Sequence, residues 1–275
     1  MTREAKVQTL RQLHEGPEVL LFPNAWDAGS AKILTALGFK AIATTSGGYA
    51  FSTGRQDVAS ELTREGILEN ARSIARATHL PVSADLQNGF GDRPEACAET
   101  IRLACEAGLA GGSIEDASDD PQKPIYDFAL SVERVAAAAE VAHRLGFVLT
   151  ARAENFLHAR NDLDDTIRRL QAFERAGADV LYAPALPDMD AIRRVFASVS
   201  KPVNVLMGLR GATYSVEELK AAGVRRVSVG GSMARAAFGA LVRAAREILE
   251  QGTFTYADEA VPSAEMARYM AGGGK

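Results

Sequence analysis

An α/β fold, closed into a single (β/α)8 barrel, is predicted from three observations on this 275-residue sequence. Short runs rich in β-branched residues recur roughly every 25 to 35 residues, and helical patterns with apolar residues at i, i+3 and i+4 lie between them. The runs are almost continuously apolar, as expected where both faces of a parallel sheet are covered. Eight such units follow one another without a break in composition, which favours a barrel. A doubly wound open sheet is the alternative, but no Gly-x-Gly-x-x-Gly loop follows the first strand.

The predicted strands and helices alternate along the whole chain. The strands are, in chain order, Val19–Ala25, Ala41–Ser46, Pro81–Leu86, Gly112–Asp116, Phe147–Arg152, Val180–Ala185, Val203–Met207 and Val227–Gly230. The clearest helical patterns are Arg64–Ala77, Pro94–Ala107, Val132–Leu145 and Leu163–Ala176. Several helices end at a glycine just before the next strand, which is a common stop signal. These glycines are Gly38, Gly108, Gly146, Gly177 and Gly223.

The chain divides into two predicted parts. Residues 1–250 are expected to form the barrel. Residues 251–275 are expected to form a short helix with a disordered end, or an arm that reaches a neighbouring subunit. The net charge of −4 and a pI near 5.7 argue against nucleic-acid binding. No apolar run approaches the roughly 18 residues that span a bilayer, and the first residues lack the apolar core of a signal peptide. The sequence therefore predicts a cytoplasmic protein without a membrane or nucleic-acid partner.

The two cysteines, Cys97 and Cys105, lie eight residues apart in a predicted helix. This spacing is about 12 Å along the helix axis, too far for a disulfide, so two reduced and buried thiols are expected. With two cysteines and four histidines, a zinc site is not favoured. Any metal ion should be bound by oxygen atoms.

The segment from Pro81 to Asp92 carries the strongest functional signal. A buried strand ends at Asp85, where a charge is costly unless something pairs with it. A second strand ends at Glu115 and Asp116. Acids at the ends of neighbouring strands indicate a site for a hard cation with oxygen ligands. Each acid could instead cap a helix or pair with an arginine.

The carboxyl ends of barrel strands meet at one mouth, which gathers further polar residues there. Arg152 offers a planar fork for a carboxylate or phosphonate, and it could also pair with Glu154 or Glu115. The Ser46-Gly47-Gly48 segment could direct backbone N–H groups at an anion. Other side chains expected at the mouth are Asn24, Trp26, Asp27, Thr45, Tyr49, Gln87, Tyr182, Pro184 and Asn204. Trp26, the single tryptophan, is as consistent with plain packing as with substrate binding.

A 2-oxo acid chelated by Mg²⁺ would satisfy these groups together. The metal ion would take the carboxylate and keto oxygens and stabilise an enolate as the adjacent bond breaks. The reaction class is then C–C cleavage, decarboxylation or P–C chemistry. The binding partner is a small carboxylate.

Six motifs resemble those of the isocitrate lyase / phosphoenolpyruvate mutase superfamily, over about residues 15–250. They are Asn24-Ala-Trp-Asp-Ala-Gly-Ser-Ala31, Thr44-Thr-Ser-Gly-Gly48, Ala84-Asp85, Gly112-Ser-Ile-Glu-Asp116, Thr150-Ala-Arg-Ala-Glu154 and Pro202-Val-Asn204. The resemblance implies chemistry that depends on Mg²⁺, with Mn²⁺ as an alternative. It also implies a homotetramer in which the eighth helix is commonly exchanged between paired subunits.

The resemblance implies a role for each matching residue. Asp85 and Glu115 would belong to the metal shell, with Gln87 beside them, and Asp57 would be a further acid near the metal. Arg152 would grip the substrate and, with Glu115 and Asp57, form the catalytic set. The substrate-binding residues would be Trp26, Ser46, Gly47, Gly48, Arg152 and Asn204.

Two departures from the superfamily pattern keep the reaction open. The segment Ala117–Tyr126 lacks the Lys-Lys/Arg-Cys-Gly-His lid motif of isocitrate and methylisocitrate lyases, whose cysteine is a general acid. Gln87 stands where many relatives have an acid, which predicts weaker Mg²⁺ binding. The leading interpretation is a Mg²⁺-dependent lyase of a small 2-oxo or 2-hydroxy carboxylate. The alternatives are a phosphonopyruvate hydrolase or mutase, and a barrel that binds 2-oxo acids with weak catalysis. Candidate proton donors are Tyr49, Tyr126 and His158.

Overall fold

The computed structural model of the chain describes residues 1–57, 61–209 and 213–272. Nine parallel strand segments form one sheet that curls into a nearly closed barrel, in the order β1-β9-β8-β7-β6-β5-β4-β3-β2. The predicted barrel is therefore confirmed. The segments are β1 (Leu20–Phe22), β2 (Asn24–Ala25), β3 (Ile42–Thr44), β4 (Val82–Asp85), β5 (Gly111–Glu115), β6 (Val148–Arg152), β7 (Val180–Tyr182), β8 (Val203–Leu206) and β9 (Arg226–Ser228).

The first predicted strand, Val19–Ala25, is split into β1 and β2 at Pro23. Proline has no backbone N–H and cannot donate to a sheet ladder. The half before Pro23 pairs with β9, and the half after it pairs with β3. The chain itself thus joins the two edges of the sheet, and the predicted eight strands become nine segments.

Helices alternate with the strands on the outside of the barrel. Within the described residues they are α1 (Arg3–Glu15), α2 (Ala28–Ala36), α3 (Ser46–Ser52), α4 (Arg64–Ala77), α5 (Pro94–Glu106), α6 (Phe128–Leu145), α7 (Leu163–Arg175), α8 (Met189–Ser198), α9 (Val216–Ala221), α10 (Ser232–Gln251) and α11 (Ser263–Met270). Short 3-10 helices cover Asn155–His158 and Thr255–Glu259. The five predicted stop glycines all have positive φ, between 62° and 106°, which a glycine adopts without steric cost. Cys97 and Cys105 are both buried on α5, as predicted.

The predicted end of the second strand differs from the structure. The strand ends at Thr44, and Ser46 already begins α3. Thr45 caps this helix, because its side chain accepts a hydrogen bond from the N–H of Gly48. The Ser46-Gly47-Gly48 segment is therefore the first turn of a helix.

Helix α1, which the sequence patterns did not single out, closes the barrel at the amino ends of the strands. Its Val7 and Leu10 pack with Leu20, Phe22 and Val148 in a separate apolar cluster. The opposite end of the barrel is left open for a site.

The last helix of the barrel, α10, projects from the rest of the chain. Ala234 alone is buried among its residues, whereas Leu241 and Leu249 are 63% and 85% exposed. The tail turns back, and Lys32 Nζ donates to the carbonyl oxygen of Met270, so α11 packs on α2. The predicted disordered end falls on residues 273–275, outside the described residues. Across the described ranges, no helix is long and apolar enough to cross a membrane.

Candidate active site

A cavity of about 300 Å³ opens at the carboxyl ends of the strands. Residues from each of the strand segments β2 to β9 line it, together with the first turn of α3. The polar residues on its walls include Asn24, Thr44, Thr45, Ser46, Asp57, Ser83, Asp85, Ser113, Arg152, Tyr182, Asn204, Arg226, Ser228 and Arg235. The mouth of the barrel is therefore a polar cavity, as predicted.

Arg152, at the end of β6, contacts three carboxylates. Its Nη1 lies 3.1 Å from Asp85 Oδ1, its Nη2 lies 3.1 Å from Glu115 Oε2, and its Nε donates to Glu154 Oε1 at 2.7 Å. The ring of Tyr182 faces the guanidinium, whose carbon lies 5.0 Å from the ring centroid. The planar guanidinium can serve several acceptors at once, which a lysine ammonium could not match. The predicted pairing of Arg152 with Glu115 and Glu154 is thus present, and Asp85 joins it.

Asp85 is held by donors from two neighbouring segments. Its Oδ2 accepts from the backbone N–H and the hydroxyl of Ser46, at 3.3 and 3.1 Å. Its Oδ1 accepts from the N–H of Gln87 at 3.4 Å, and its own N–H donates to Thr44 Oγ1. Each carboxylate oxygen of Asp85 is therefore engaged, and the side chain is fixed at the cavity wall.

The acids around Arg152 carry an excess of negative charge. Burial, opposed by Arg152, raises the pKa of Glu115 well above its usual range, and the neighbouring acids add to the rise. Burial and the charge of Asp85 raise the pKa of Asp57. Burial lowers the pKa of Arg152, but the surrounding carboxylates outweigh it and hold that pKa well above the ordinary value. A further cation near these acids would be electrostatically favoured.

A second buried network supports the loop after β5. Arg169 Nη1 donates to Asp116 Oδ2 at 2.9 Å and to the carbonyl oxygen of Tyr126 at 3.0 Å. Asp116 Oδ1 accepts from the N–H of Glu154 at 2.8 Å. Burial raises the pKa of Asp116 to about 6. The network ties the base of the Ala117–Tyr126 loop to Glu154, which contacts Arg152.

None of the three candidate proton donors from the sequence lines the cavity. The Tyr126 hydroxyl donates to Asp92 Oδ1 at 2.7 Å, and burial raises its pKa. The cavity walls do not include Tyr49, Tyr126 or His158 among the described residues. Tyr182 does line the cavity, and burial raises its pKa as well.

The candidate residues divide by their place relative to the cavity. Asp57, Asp85, Arg152, Ser46, Gly47 and Asn204 line it. Glu115 reaches the site through Arg152, and Gln87 through its N–H to Asp85. Gly48 lies behind the cavity wall, since a Cβ built on it would meet Thr45 and Trp26.

Trp26 lies outside the cavity. It lines a separate apolar groove with Ile33, Met233, Met266 and Met270, between α2, α10 and α11. This position favours the packing interpretation of Trp26, which the sequence had left open.

The Ser46-Gly47-Gly48 segment was expected to direct three backbone N–H groups at an anion. Two of these groups already donate to protein acceptors, those of Ser46 and Gly48.

The donor chemistry at this mouth suits a hard cation. In the described part of the chain, no three His, Cys, Asp or Glu side chains form a ready-made metal cluster. However, Asp85 and Glu115 contact one guanidinium, and the Oε1 atom of Gln87 is buried without a hydrogen-bond donor. Mg²⁺ is usually held by one or two carboxylates and keeps several waters. The carboxylates of Asp85 and Glu115 and the amide oxygen of Gln87 match this kind of coordination.

Two residues of the site were missed or undervalued by the sequence patterns. Glu154 is 2% exposed and does not line the cavity, but its Oε1 accepts a hydrogen bond from Arg152 Nε and so fixes that side chain. Arg226 lines the floor of the cavity, yet the predicted last strand began only at Val227. The two adjacent arginines before that apolar run were the available signal, because one of two consecutive strand residues faces the barrel interior.

The fold and the site together define an α/β-barrel enzyme with acids and an arginine at its mouth. Residues 10–249 match the family model for phosphoenolpyruvate phosphomutase. The chain therefore belongs to that family, within the isocitrate lyase / phosphoenolpyruvate mutase superfamily of lyases and mutases.

Similar proteins agree with this assignment. A Burkholderia cenocepacia J2315 structure, provisionally described as a lyase/mutase, is 53% identical with a TM-score of 0.95, and the match covers 98% of this chain and 96% of that one. The 2-methylisocitrate lyase of Bacillus subtilis strain 168 is 29% identical over 82% of this chain and 76% of its own. The structure of 2,3-dimethylmalate lyase is 26% identical with a TM-score of 0.86, covering 98% of this chain and 95% of that one.

Proposed function

We propose that this enzyme is a Mg²⁺-dependent lyase that cleaves a C–C bond of, or decarboxylates, a small 2-oxo or 2-hydroxy carboxylate. The observation that carries the proposal is the Arg152 guanidinium, which lies in the cavity between Asp85 and Glu115. The similarity to 2-methylisocitrate lyase and 2,3-dimethylmalate lyase supports C–C cleavage. Members of the superfamily typically depend on a divalent metal ion.

The residues at the mouth have complementary roles in this proposal. Asp85, Glu115 and the Gln87 amide oxygen would hold Mg²⁺, or Mn²⁺ in its place. The bound ion would supply Lewis-acid stabilisation for negative charge that develops on the substrate. Arg152 would orient the substrate carboxylate through its planar fork. Asn204, whose Oδ1 is buried without a donor, would contact the substrate from β8.

Asp57 would hold a proton beside the reacting group. Its pKa is raised by burial and by Asp85, so its carboxyl group is more readily protonated than a free one. It lies against Gly47 at the start of α3, since a Cβ built on Gly47 would be 2.7 Å from Asp57 Oδ2. Phe51 and Leu157, at the rim of the cavity, would reduce the access of water.

A P–C enzyme, acting on phosphonopyruvate as a hydrolase or mutase, is the second candidate. The match to the phosphoenolpyruvate phosphomutase model favours it. Arg152 would suit a phosphonate as well as a carboxylate. Release of inorganic phosphate, or conversion of phosphonopyruvate to phosphoenolpyruvate, would decide for this candidate over the lyase.

A homotetramer made of dimers that exchange α10 completes the proposal. The exposed apolar residues of α10, among them Leu241 and Leu249, support an intersubunit role for this helix. We also propose a cytoplasmic location, for which the two buried free thiols are the support. Light scattering on the wild type and on Leu241→Glu tests the assembly, and loss of the tetramer in the variant is expected.

A substrate panel tests the activity. Oxaloacetate, 2-methylisocitrate, 2,3-dimethylmalate and phosphonopyruvate would each be incubated with Mg²⁺ and with EDTA, and the products identified by NMR. The proposal expects turnover of a carboxylate with Mg²⁺ and none with EDTA. Binding of these acids without turnover of any would instead favour the weakly catalytic barrel.

A further inference from the structure

Arg226 is a buried cation for which the described part of the chain provides no carboxylate partner. Its side chain points into the barrel from β9 and is 5% exposed. Its Nη1 donates to Thr150 Oγ1 at 3.2 Å and lies 3.4 Å from His14 Nε2. Its guanidinium carbon lies 4.4 Å from the centroid of the Phe22 ring, and Nε has no hydrogen-bond acceptor. None of these contacts offsets a full positive charge.

His14 does not supply the missing negative charge. Its Nδ1 lies 2.7 Å from the carbonyl oxygen of Leu10, so Nδ1 carries the proton and Nε2 presents a lone pair to Arg226. Burial, together with the charge of Arg226, lowers the pKa of His14 to about 4. The histidine is therefore neutral near pH 7, and Arg226 remains the uncompensated charge of this region.

The Arg226 guanidinium lies one layer below Arg152. Thr150, which accepts from Arg226, is two residues before Arg152 on β6, and two residues of a strand span about 7 Å. Both arginines line the same cavity. Barrel interiors are usually filled by branched apolar side chains. Here Ser83, Ser113 and Ser228 face the cavity instead.

A second unsatisfied atom lies beside Arg226. Asn204 is its partner in the register of β8 and β9, and its Oδ1 is buried without a donor. Asn204 Nδ2 donates to Ser228 Oγ at 2.8 Å. Buried polar atoms without partners are uncommon, and a bound molecule is one of the accepted reasons for them. Arg226 is a donor and needs an acceptor, whereas Asn204 Oδ1 needs a donor, so of these two groups it is Arg226 that calls for an anion.

We propose that Arg226 forms a second anion-binding site at the floor of the cavity, beneath Arg152, which accepts a carboxylate. The carboxylate is either the second acid group of the substrate or that of a small free anion. The first source rests on the proposed function, in which the other end of the substrate is held at Arg152. An unpaired buried charge is costly, and an anion against the part of the guanidinium that faces the cavity would offset it.

Succinate and butyrate test this site without requiring turnover. The two acids have the same chain length and differ by one carboxylate. Their dissociation constants would be measured by calorimetry for the wild type, Arg226→Met and Arg226→Lys, both with Mg²⁺ and with EDTA. We expect the wild type to prefer succinate by at least about tenfold. Arg226→Met should lose this preference while it still binds butyrate, and Arg226→Lys should recover part of it.

Sodium bromide distinguishes the two sources of the anion. In one outcome, bromide raises the unfolding temperature of the wild type but not of Arg226→Met, while the wild type shows no preference for succinate over butyrate. This result would support the site, with a small free anion as its occupant. Equal affinities of the wild type and Arg226→Met for succinate, with no bromide effect in either, would overturn the proposal.

The fold of the variant is checked separately. Replacement of an unpaired buried charge by an apolar side chain of similar length is expected to leave the unfolding temperature in anion-free buffer unchanged or raised. If Arg226→Met does not fold, the succinate and butyrate affinities of Arg226→Lys are compared with those of the wild type instead. A wild-type preference for succinate that Arg226→Lys leaves unchanged, with no bromide effect in the wild type, would then contradict the site. Because these readouts are binding and stability, they remain valid even if no lyase activity is found.

Discussion

Arg152 Nη1 lies 3.1 Å from Asp85 Oδ1, which joins the end of β6 to the end of β4 across the mouth of the barrel. The side chains of both residues are largely buried, at 13% and 19% exposure. Two further acids, Glu115 and Glu154, contact the same guanidinium. This shared contact makes the mouth a single electrostatic unit, in which a change at one residue alters the charge balance of the others.

Removal of the Asp85 charge should abolish stabilisation by Mg²⁺. Asp85→Asn keeps the size of the side chain and leaves Arg152 with two acids, so the variant should fold. Wild-type protein should show a higher unfolding temperature in Mg²⁺ than in EDTA, because a ligand that binds the folded state stabilises it. Asp190→Asn, at an exposed acid of α8, is the matched control and should keep the response. An Asp85→Asn variant that still responds to Mg²⁺ would exclude Asp85 from the metal site.

Replacement of Arg152 should affect stability and activity differently in two variants. Arg152→Met leaves buried carboxylates without their cation, which typically costs about 3 to 5 kcal/mol of unfolding free energy. Arg152→Lys keeps the charge but not the planar fork, so it should retain more of the stability while kcat/KM falls by about 100-fold. Urea unfolding and steady-state kinetics measure the two effects. Arg193→Lys, at an exposed arginine, is the control; full activity in Arg152→Lys would contradict the substrate-orienting role.

An acid at position 87 should strengthen metal binding. Gln87 has a buried Oε1 without a donor and a backbone φ of 48°. Gln87→Glu adds a negative charge with little change of shape, and more anionic sites generally bind divalent cations more tightly. Calorimetric titration with Mg²⁺ should give a dissociation constant lower by about tenfold. Identical constants for the two proteins would place Gln87 outside the metal shell.

Two adjacent glycines should respond differently to substitution by alanine. A Cβ on Gly48 would lie 2.7 Å from both Thr45 Cγ2 and Trp26 Cβ, so Gly48→Ala should cost about 2 kcal/mol of stability. A Cβ on Gly47 would meet Asp57 Oδ2 at 2.7 Å, and that side chain can move. Gly47→Ala should therefore lower activity more than stability. Gly16→Ala, where the nearest atom would be 3.6 Å away, is the control for both measurements.

A Gly47→Ala variant that loses more stability than activity would show that Asp57 does not act at the cavity. In that case Gly47→Ala would lose stability and keep its activity. Thermal unfolding and kcat, measured on the same preparations, distinguish the two results.

His14 should make stability depend on acidity. Its pKa is about 4 in the folded protein against 6.5 when exposed, because it is buried beside Arg226. Between these values the unfolded chain binds a proton that the folded protein does not, so stability falls as the pH decreases from about 6.5 to about 4. The loss approaches about 3 kcal/mol. His14→Gln, which cannot titrate, should show a smaller loss than the wild type over this range; parallel stability curves would contradict the assignment.

The barrel could be predicted from the sequence because its signals are local. The helices Arg64–Ala77 and Val132–Leu145 have strong apolar periodicity, and Gly146 marks the end of the second. The split of the first strand was not predictable from periodicity, since Val19–Ala25 reads as one run apart from Pro23. The site was partly predictable, because residues at the carboxyl ends of barrel strands converge on one mouth regardless of the conformation of the loops.

The rest of the site depends on contacts between distant residues. The sequence could not show that Arg152 would contact Asp85 and Glu115 together, or that Trp26 would face α11 instead of the cavity. Arg226 was missed because the run of apolar residues begins after it. Its role depends on Thr150 and His14, which are far from it in the chain.

The most direct test of the central claim is the rate of C–C bond cleavage or decarboxylation over the carboxylate panel, with and without Mg²⁺, in the wild type and in Asp85→Ala. The account predicts turnover of at least one 2-oxo or 2-hydroxy carboxylate by the wild type with Mg²⁺, and its loss both in EDTA and in the variant. Equal turnover in Asp85→Ala, or in the absence of the metal ion, would contradict it.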